Sequence, residues 1–411
     1  MVHWVIRAGE RCFSPARSNR LNNLIQQKAA DGWTALARGR RSRPIEWLVE
    51  KAILLVSIVV IMTVFLIFLF VAREALPIFL GTMRSSVSAG FIAPADFEKT
   101  SPEQLRLYLG MSPAEFRAKD RETLKLLVEV KAEAAGELGH DKDAGLNTTE
   151  WRYLIRPWQW SGYARPEYIW QPVSNVKKFN IIPLFVGSLK TTVVALLFAV
   201  PLALAAAIYV SQLAGRRTRE VVKPCIELLA GVPSVVLGFF GLIVMASALQ
   251  SISGSPSRLN AFVAGTALAL AVIPVIFSIA EDALTSVPRS FTQAALAVGS
   301  SRWQAAWHIV LPAALPGVFA AVVLGFGRAV GETMVVLMAS GNASIMSWNL
   351  FDSTRSITAT IAAELAETVF GGPHYRVLFV IGSLLFIVTF LSNLAGDLVM
   401  HRLKSRLEGR A

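Results

Sequence analysis

Six stretches of this sequence are apolar and long enough to cross a lipid bilayer, and they restrict the possible folds more than any other feature. They cover roughly residues 52–72, 184–210, 226–249, 260–280, 315–340 and 377–400. About 20 consecutive apolar residues in a helix span the hydrocarbon core of a membrane. The 411-residue chain is 54% hydrophobic, which exceeds the share in an ordinary soluble protein. The sequence therefore predicts an all-α polytopic membrane protein with six transmembrane helices.

Changes in composition divide the chain into segments. We expect a basic N-terminal tail, a first transmembrane helix, a soluble insert, a domain of five transmembrane helices with a polar loop, and a basic C-terminal tail. In the same order, these segments cover residues 1–51, 52–72, 73–180, 181–400 with the loop at 281–314, and 401–411. The insert contains no recognisable catalytic cluster, since His140 stands alone. Cys12 and Cys225 form neither a disulfide framework nor a metal motif.

The formal net charge of +12 raises the possibility of nucleic-acid binding, but the positions of the cations contradict it. Residues 1–51 hold ten Lys and Arg against four Asp and Glu, and further cations cluster at 216–223 and 401–411. Basic segments beside membrane spans remain in the cytoplasm. With six crossings, these segments and the 281–314 loop lie on one side. We therefore expect both termini in the cytoplasm, an outward-facing insert and no nucleic-acid partner.

The 281–314 loop carries the signals of two short helices. Two Ser-x-x-Gln segments, 290–293 and 301–304, each place a hydroxyl three residues before an amide, as in a capping box. Gly299 lies between them, where a left-handed residue ends a helix. Pro312 is expected to stop the second helix, because proline lacks the backbone N–H. Two short helices on the cytoplasmic face would give a partner protein a rigid surface.

The fifth apolar run, Leu315 to Ser340, contains two charged residues, Arg328 and Glu332. A charge in hydrocarbon is costly and usually has a partner or a function. Four residues apart on one helix, the two side chains would share a face, and Arg328 would lie roughly 18 Å from Pro316, near the middle of the bilayer. Two interpretations stay open here: a contact for a transported anion, or a buried pair that fixes helix packing.

The loop and the fifth run together match a family pattern. Membrane subunits of ATP-binding-cassette importers carry a cytoplasmic loop that reads Glu-Ala-Ala, then Gly, then Ile-x-Leu-Pro. The matching residues here are Gln293, Ala294, Ala295, Gly299, Ile309, Leu311 and Pro312, with Gln replacing the usual Glu. The Gly-Arg-Ala-Val-Gly-Glu-Thr-Met run at 327–334 and Gly341-Asn342 closely resemble the PstC-type permeases of phosphate-specific importers. The resemblance covers the first span and roughly residue 151 to the C terminus.

This resemblance implies the ABC importer permease fold and a place in the bacterial inner membrane. It implies that the loop docks on a separate ATPase, which binds ATP and magnesium, while this chain holds no cofactor and is not an enzyme. The sequence accordingly contains no GxxxxGK[ST] motif. The expected partners are a second, PstA-type permease, two PstB-type ATPase subunits, a PstS-type periplasmic phosphate-binding protein and membrane lipid. For a phosphate importer, we also expect Arg328, Glu332 and Thr333 to line the substrate path, because a guanidinium can offer paired donors to a phosphate.

Other functions remain open at this stage. The chain could be the permease of an importer for another oxyanion, or a phosphate-linked membrane sensor or scaffold that uses the insert. A self-contained ion-coupled carrier is a further alternative, but it would need no coupling loop, and the inverted repeats common in such carriers are not evident in this sequence.

Overall fold

The computed structural model describes residues 44–81, 97–137, 143, 146–174 and 176–407, and these are mostly helical. Within these ranges, six helices are long and apolar enough to cross a membrane, and the prediction of an all-α polytopic protein is confirmed. The six cover Trp47–Phe79, Ile182–Leu213, Ser234–Ser253, Ala261–Ser286, Arg302–Gly331 and Pro373–Arg402. Most of the predicted N-terminal tail, with Cys12, and also His140 lie outside the described residues.

The elements are numbered along the described chain. The helices are α1 (Pro44–Phe79), α2 (Pro102–Leu109), α3 (Pro113–Ala118), α4 (Arg121–Glu137), α5 (Trp151–Ile155), α6 (Ile182–Ile208), α7 (Arg216–Ala230), α8 (Ser234–Phe240), α9 (Ala246–Ser253), α10 (Ala261–Ser286), α11 (Arg289–Ala297), α12 (Arg302–Ala305), α13 (Leu311–Gly331), α14 (Met334–Ala339), α15 (Ile357–Glu364) and α16 (Pro373–Leu407). Three π turns, Tyr209–Leu213, Gly241–Met245 and Ala306–Val310, extend α6, join α8 to α9 and join α12 to α13. Strands β1 (Trp170–Gln171) and β2 (Lys178–Phe179) form an antiparallel pair.

The described chain consists of two compact units, residues up to Leu69 and residues from Phe70 onward. In the first unit, the described side chains from Trp47 to Leu69 are all exposed. A helix that is apolar on every side is suited to a lipid environment, because water makes exposure of so many hydrocarbon side chains unfavourable. This segment therefore has the character of a membrane span.

The insert between α1 and α6 is held together by small hydrophobic clusters. Helices α2 and α4 meet around Leu105 and Val128. Helix α3 begins with a capping box, in which Ser112 and Glu115 each accept a hydrogen bond from the other's backbone N–H. Phe179 of β2 belongs to the same cluster as side chains of α16. The C-terminal part of the insert is thus packed onto the transmembrane helices of the second unit.

Helix α10 lies at the centre of the second unit and packs along α6 and α13. Glycines allow the close approach of these helices. A Cβ atom on Gly265 would lie 2.5 Å from Val194, and a Cβ atom on Gly325 would lie 2.5 Å from Ile276. Small residues at such positions let transmembrane helices gain packing contacts where lipid provides no hydrophobic driving force. These glycines therefore fix the spacing of the central three helices.

The third span begins later than the predicted residue 226. Pro233 has an extended conformation (φ −57°, ψ 137°), and α8 starts at the next residue. The preceding residues form the separate helix α7, which is amphipathic. Apolar residues on one face of α7 extend the hydrophobic run in the sequence, and a hydropathy argument does not separate that face from a membrane span.

The fifth span is displaced from the predicted range 315–340. Its helix begins at Arg302 and ends at Gly331. Glu332 has an extended backbone (φ −71°, ψ 133°), and α14 starts two residues later. The prediction that one helix continues to Ser340 is wrong, and so is the prediction that Arg328 and Glu332 share a helix face. Hydropathy does not reveal this break, because the helical segments on both sides of it are apolar.

The two ends of α10 define two ends of the second unit. At its start, the N–H groups of Ala261 and Phe262 donate to the carbonyls of Asp352 and Leu350. Residues 341–373 together with this start of α10 are called the far end. Residues 281–314 and the neighbouring α7 are called the loop end. The 26 residues of α10 separate the two ends by about 39 Å at 1.5 Å per residue.

Candidate substrate path and coupling surface

The loop end contains the two helices predicted for residues 281–314, α11 and α12. Gly299 between them has φ +92°, so the left-handed turn is confirmed. Ser301 and Gln304 form the predicted capping box, with hydrogen bonds of 3.2 and 2.8 Å. The prediction of a cap at Ser290 is wrong, because α11 already begins at the preceding Arg289, after an extended Pro288.

Pro312 does not end the second helix, in contrast to the prediction. The helix passes from α12 through a π turn over Ala306–Val310 into α13, so that Arg302–Gly331 is one continuous span. Pro312 lies in the first turn of α13, directly after the widened turn. There the missing N–H of proline interrupts the helical ladder least. The loop is therefore a direct extension of the helix that carries Arg328.

The loop presents a large apolar surface. Trp303 and Trp307 are about half exposed, and their rings stack with centroids 5.8 Å apart. Val298, next to the left-handed glycine, is 84% exposed. Of the seven residues that match the family loop, Gln293, Ala294, Gly299 and Pro312 are exposed, Ile309 and Leu311 are half-buried, and Ala295 is buried. Exposed aromatic side chains beside small residues are typical of a protein-binding surface.

A buried carboxylate, Glu281, lies at the end of α10 next to this loop. The side chain of Glu281 is fully buried, and it accepts hydrogen bonds from Arg219 at 2.5 Å, Lys223 at 2.7 Å and Thr285 at 2.9 Å. The hydrogen bond with Glu281 raises the pKa of Lys223, although partial burial opposes the shift. The cluster fastens α7 to the end of α10. The i,i+4 spacing of the two cations places them on one helix face, but the sequence does not identify Glu281 as their shared partner.

Arg328 lies near the end of α13 and is exposed in the isolated chain. Its Nε donates a hydrogen bond of 3.3 Å to the carbonyl of Ala271 in α10. Glu332 lies past the helix end, where its carboxylate accepts from the N–H of Thr333 at 3.2 Å and its carbonyl accepts from Thr358 at 2.9 Å. Between Arg328 and Glu332, both within the described chain, there is no ion pair.

A cleft of about 500 Å³ lies beside Arg328, between α13 and α16. It is lined by Leu324, Gly327, Arg328, Gly331, Gly382, Leu385, Phe386, Thr389 and Asn393. Gly382 and Asn393 lie about 14 and 30 Å along α16 from its start at 1.5 Å per residue. The cleft therefore lies alongside the middle of the sixth span. Arg328 lies three residues before the end of its own span at Gly331, so its mid-membrane depth stays a prediction.

The far end contains a second buried carboxylate, which sequence reasoning missed. Glu364 accepts hydrogen bonds from Arg355 at 2.5 Å and from the Trp170 indole at 3.1 Å, and it bonds with His374 at 2.9 Å. Burial alone would raise the pKa of Glu364, but the His374 hydrogen bond and the Arg355 charge leave that pKa below its ordinary value. Arg355 also donates to Asn342 at 3.0 Å. The network joins the insert, the Gly341-Asn342 motif, α15 and α16.

Comparison with known proteins identifies relatives. Residues 180–409 match the family described as binding-protein-dependent transport system inner membrane component. The chain is 35% identical over 223 residues to the probable ABC transporter permease protein YqgH of Bacillus subtilis, covering 54% of this chain and 72% of that protein. It is 35% identical over 260 residues to the phosphate transport system permease protein PstC of Xylella fastidiosa, covering 58% and 78%. The corresponding protein of Mesorhizobium japonicum is 32% identical over 256 residues, covering 58% and 77%.

Solved structures show a more distant similarity. The inward-facing MetNI methionine ABC transporter is 19% identical with a TM-score of 0.41, over 54% of this chain and 94% of that one. A bacterial alginate ABC transporter is 15% identical with a TM-score of 0.43, over 54% of this chain and 78% of that one. The family match and the three relatives, taken with the six spans and the two-helix loop, decide the classification. This chain belongs to the binding-protein-dependent transport system inner membrane components and, within them, to the PstC-type permeases.

Proposed function

We propose that this chain is a permease subunit of an ATP-driven phosphate importer and forms half of the translocation path. The observation that carries the proposal is Arg328, an exposed guanidinium on an open cleft beside the middle of the sixth span, in a chain whose relatives include phosphate permeases. Guanidinium groups bind phosphate oxygens through paired N–H donors. Glu332, just past the helix end, would limit the strength of anion binding through its negative charge, because a transporter must also release its substrate. Thr333 would line the same path.

The proposed importer would contain partners of three kinds, two of which would bind at the two ends of this chain. A homologous PstA-type permease would complete the path, and two PstB-type ATPase subunits would hold ATP and magnesium. The exposed surface around Trp303 and Trp307 would dock in one ATPase, whose closure would move the loop as a rigid body. A PstS-type phosphate-binding protein would deliver the anion to the far end. In this scheme the chain itself catalyses no reaction.

The test of the substrate is transport by the reconstituted complex with Arg328→Lys. This change keeps the charge but removes the fork of donors, so we expect phosphate uptake per assembled complex to fall at least about tenfold. Arg258→Lys is the matched control, because Arg258 is also exposed and also donates to a backbone carbonyl, that of Leu242 at 2.8 Å. Glu332→Gln should alter turnover more than assembly.

Two outcomes would contradict the proposal. Normal uptake per complex by both Arg328→Lys and Glu332→Gln would place the anion path elsewhere and leave these residues a packing role. A wild-type complex that transports another oxyanion and not phosphate would show that the importer serves a different substrate.

The proposed orientation places both termini in the cytoplasm of a bacterium, in its inner membrane, with the insert outside. A reporter that is active only outside the cytoplasm should be active when fused after Gly162, in an exposed turn of the insert. The same reporter should be silent when fused at Arg217 or at Arg406. The reverse pattern would remove the coupling role from the 281–314 loop.

A further inference from the structure

Polar side chains follow one face of the sixth span. Thr389, Asn393 and Asp397 are spaced four residues apart on α16, and this spacing places them on the same side of a helix. Asn393 and Asp397 are exposed in the isolated chain. Polar groups in a membrane span are unfavourable against lipid and normally face protein or water. We therefore expect this face of α16 to contact protein, water or a ligand, and not the hydrocarbon of the lipid.

Two glycine positions shape the space between this face and α13. Nearer the loop end, Gly396 lies so close to α13 that a Cβ atom on it would be 2.7 Å from Val323. At Gly327, a Cβ atom would lie 3.6 Å from the Asn393 side-chain oxygen. The helices are thus in tight contact beside Gly396 and separate at the cleft, where the Asn393 amide reaches toward the glycine that precedes Arg328.

Several hydrogen-bonding groups on this cleft have no protein partner within the described chain. Arg328 uses its Nε for the carbonyl of Ala271, which leaves the donors of both Nη atoms. Asn393 has two N–H donors and a carbonyl acceptor, and no hydrogen bond joins them to other described residues. Thr389 already donates to its own helix, at Leu385 and Phe386, but its oxygen can still accept. Donors and acceptors therefore border the same 500 Å³ cleft.

We propose that the cleft between α13 and α16 is a binding station for the transported anion and that Asn393 contacts the anion there. The inference rests on the proposed function and adds a residue and a basis for selectivity to it. Arg328 can donate to any oxyanion. The Asn393 amide can donate to one oxygen and accept from a protonated one. Phosphate carries a P–OH group near neutral pH, whereas sulfate is fully deprotonated, so the carbonyl of Asn393 favours phosphate over sulfate.

The first test compares Asn393→Leu with Ser392→Ala in the complete reconstituted transporter. The leucine removes both hydrogen-bonding functions at similar size, and a lost hydrogen bond to a charged ligand lowers affinity about tenfold or more. At limiting phosphate, we expect phosphate uptake per complex by Asn393→Leu to fall about tenfold or more. We also expect sulfate to inhibit the remaining uptake more strongly than it inhibits uptake by the wild type. Ser392→Ala should match the wild type, because Ser392 donates only to Val388 of its own helix.

The second test measures water access to the cleft. Asn393→Cys and, as control, Leu394→Cys are made in a chain with Cys12→Ser and Cys225→Ser, and the complex in nanodiscs is treated with an anionic thiosulfonate. Leu394 is 44% exposed and lies on a different face of α16. We expect modification at position 393 that phosphate slows and sulfate slows less, and no modification at position 394.

The outcomes separate this inference from the proposed function. If the wild-type complex transports phosphate but Asn393→Leu behaves like Ser392→Ala, the inference fails and the proposed function stands. An unreactive thiol in the Asn393→Cys variant would likewise overturn the inference, because the cleft would then be covered by lipid or by a helix of the second permease. If the wild-type complex does not transport phosphate, both fail.

Discussion

The two buried glutamates at opposite ends of α10 are held in different ways. Glu281 at the loop end faces two basic side chains, Arg219 and Lys223, and no part of it is exposed. Glu364 at the far end faces one arginine, an imidazole and an indole N–H. Two cations that stay charged at physiological pH make a permanent attachment. The far end depends instead on one permanent charge and on neutral or titratable donors, so we expect it to open more easily.

The largest effect should come from Glu281→Ala. The change leaves Arg219 and Lys223 facing a buried space without their carboxylate, and removing one partner of a buried pair costs about 3–5 kcal/mol. The two cations are about one third exposed, so solvent would reduce the loss in unfolding free energy to about 2–3 kcal/mol. This loss in unfolding free energy is measured by unfolding the protein with a denaturing detergent in mixed micelles.

A matched control for this variant is Glu220→Ala. Its ion pair with Arg216 lies on the surface of α7, with both side chains mostly exposed, and such pairs contribute little. If Glu220→Ala lowered the free energy of unfolding as much as Glu281→Ala does, the buried cluster would not be what holds α7 to α10.

A smaller effect is expected from Glu364→Gln at the far end. Glutamine keeps the shape and can still accept from Arg355 and Trp170, but it removes the charge that strengthens these hydrogen bonds. We expect a loss of about 1–2 kcal/mol in the same unfolding experiment. If this variant lost more stability than Glu281→Ala, the far end would be the firmer attachment and the comparison would be reversed.

Gly299→Val tests whether the left-handed backbone conformation at Gly299 is needed for coupling to the ATPase. The left-handed conformation at φ +92° costs a β-branched residue about 1 kcal/mol or more. We expect transport-coupled ATP hydrolysis to fall while the complex still assembles. Gly215→Ala is the control at the same end, because Gly215 has no positive φ and open space around it. Gln293→Glu should be tolerated. Normal coupled uptake by Gly299→Val would contradict the proposed docking geometry.

The smallest effect is a pH dependence at the far end. Because the folded-state pKa of Glu364 lies below its ordinary value of 4.5, its stabilisation is present above that value and disappears as pH falls through the lowered pKa. The pKa of Lys223 is raised, so its contribution persists throughout the acidic and neutral range and is lost only at strongly alkaline pH. The stability difference between wild type and Glu364→Gln should therefore shrink below about pH 4.5 in thermal melts. A constant difference down to pH 3 would contradict the assignment.

Local signals in the sequence predicted local structure well. The capping box at Ser301 and the left-handed Gly299 depend on neighbouring residues alone, and both are confirmed. The break after Gly331 was not predictable, because hydropathy is high on both sides and the extended Glu332 is held by Thr358 from another element. The partners of Glu364 were missed for a related reason: Trp170 lies 194 residues away in sequence, and no periodicity records such a contact.

The continuity of the helix from Arg302 to Gly331 has a mechanical consequence. Trp303 on the proposed docking surface and Arg328 on the cleft are 25 positions apart on one rod, or about 38 Å at 1.5 Å per residue. A rod of that length pivoting at its docked end by about 5° would displace the guanidinium by roughly 3 Å, which is the length of one hydrogen bond. The helix needs no further break to pivot, because the π turn over Ala306–Val310 already lies close to its docked end. A small rotation of an attached ATPase would then be enough to bring Arg328 into or out of reach of an anion.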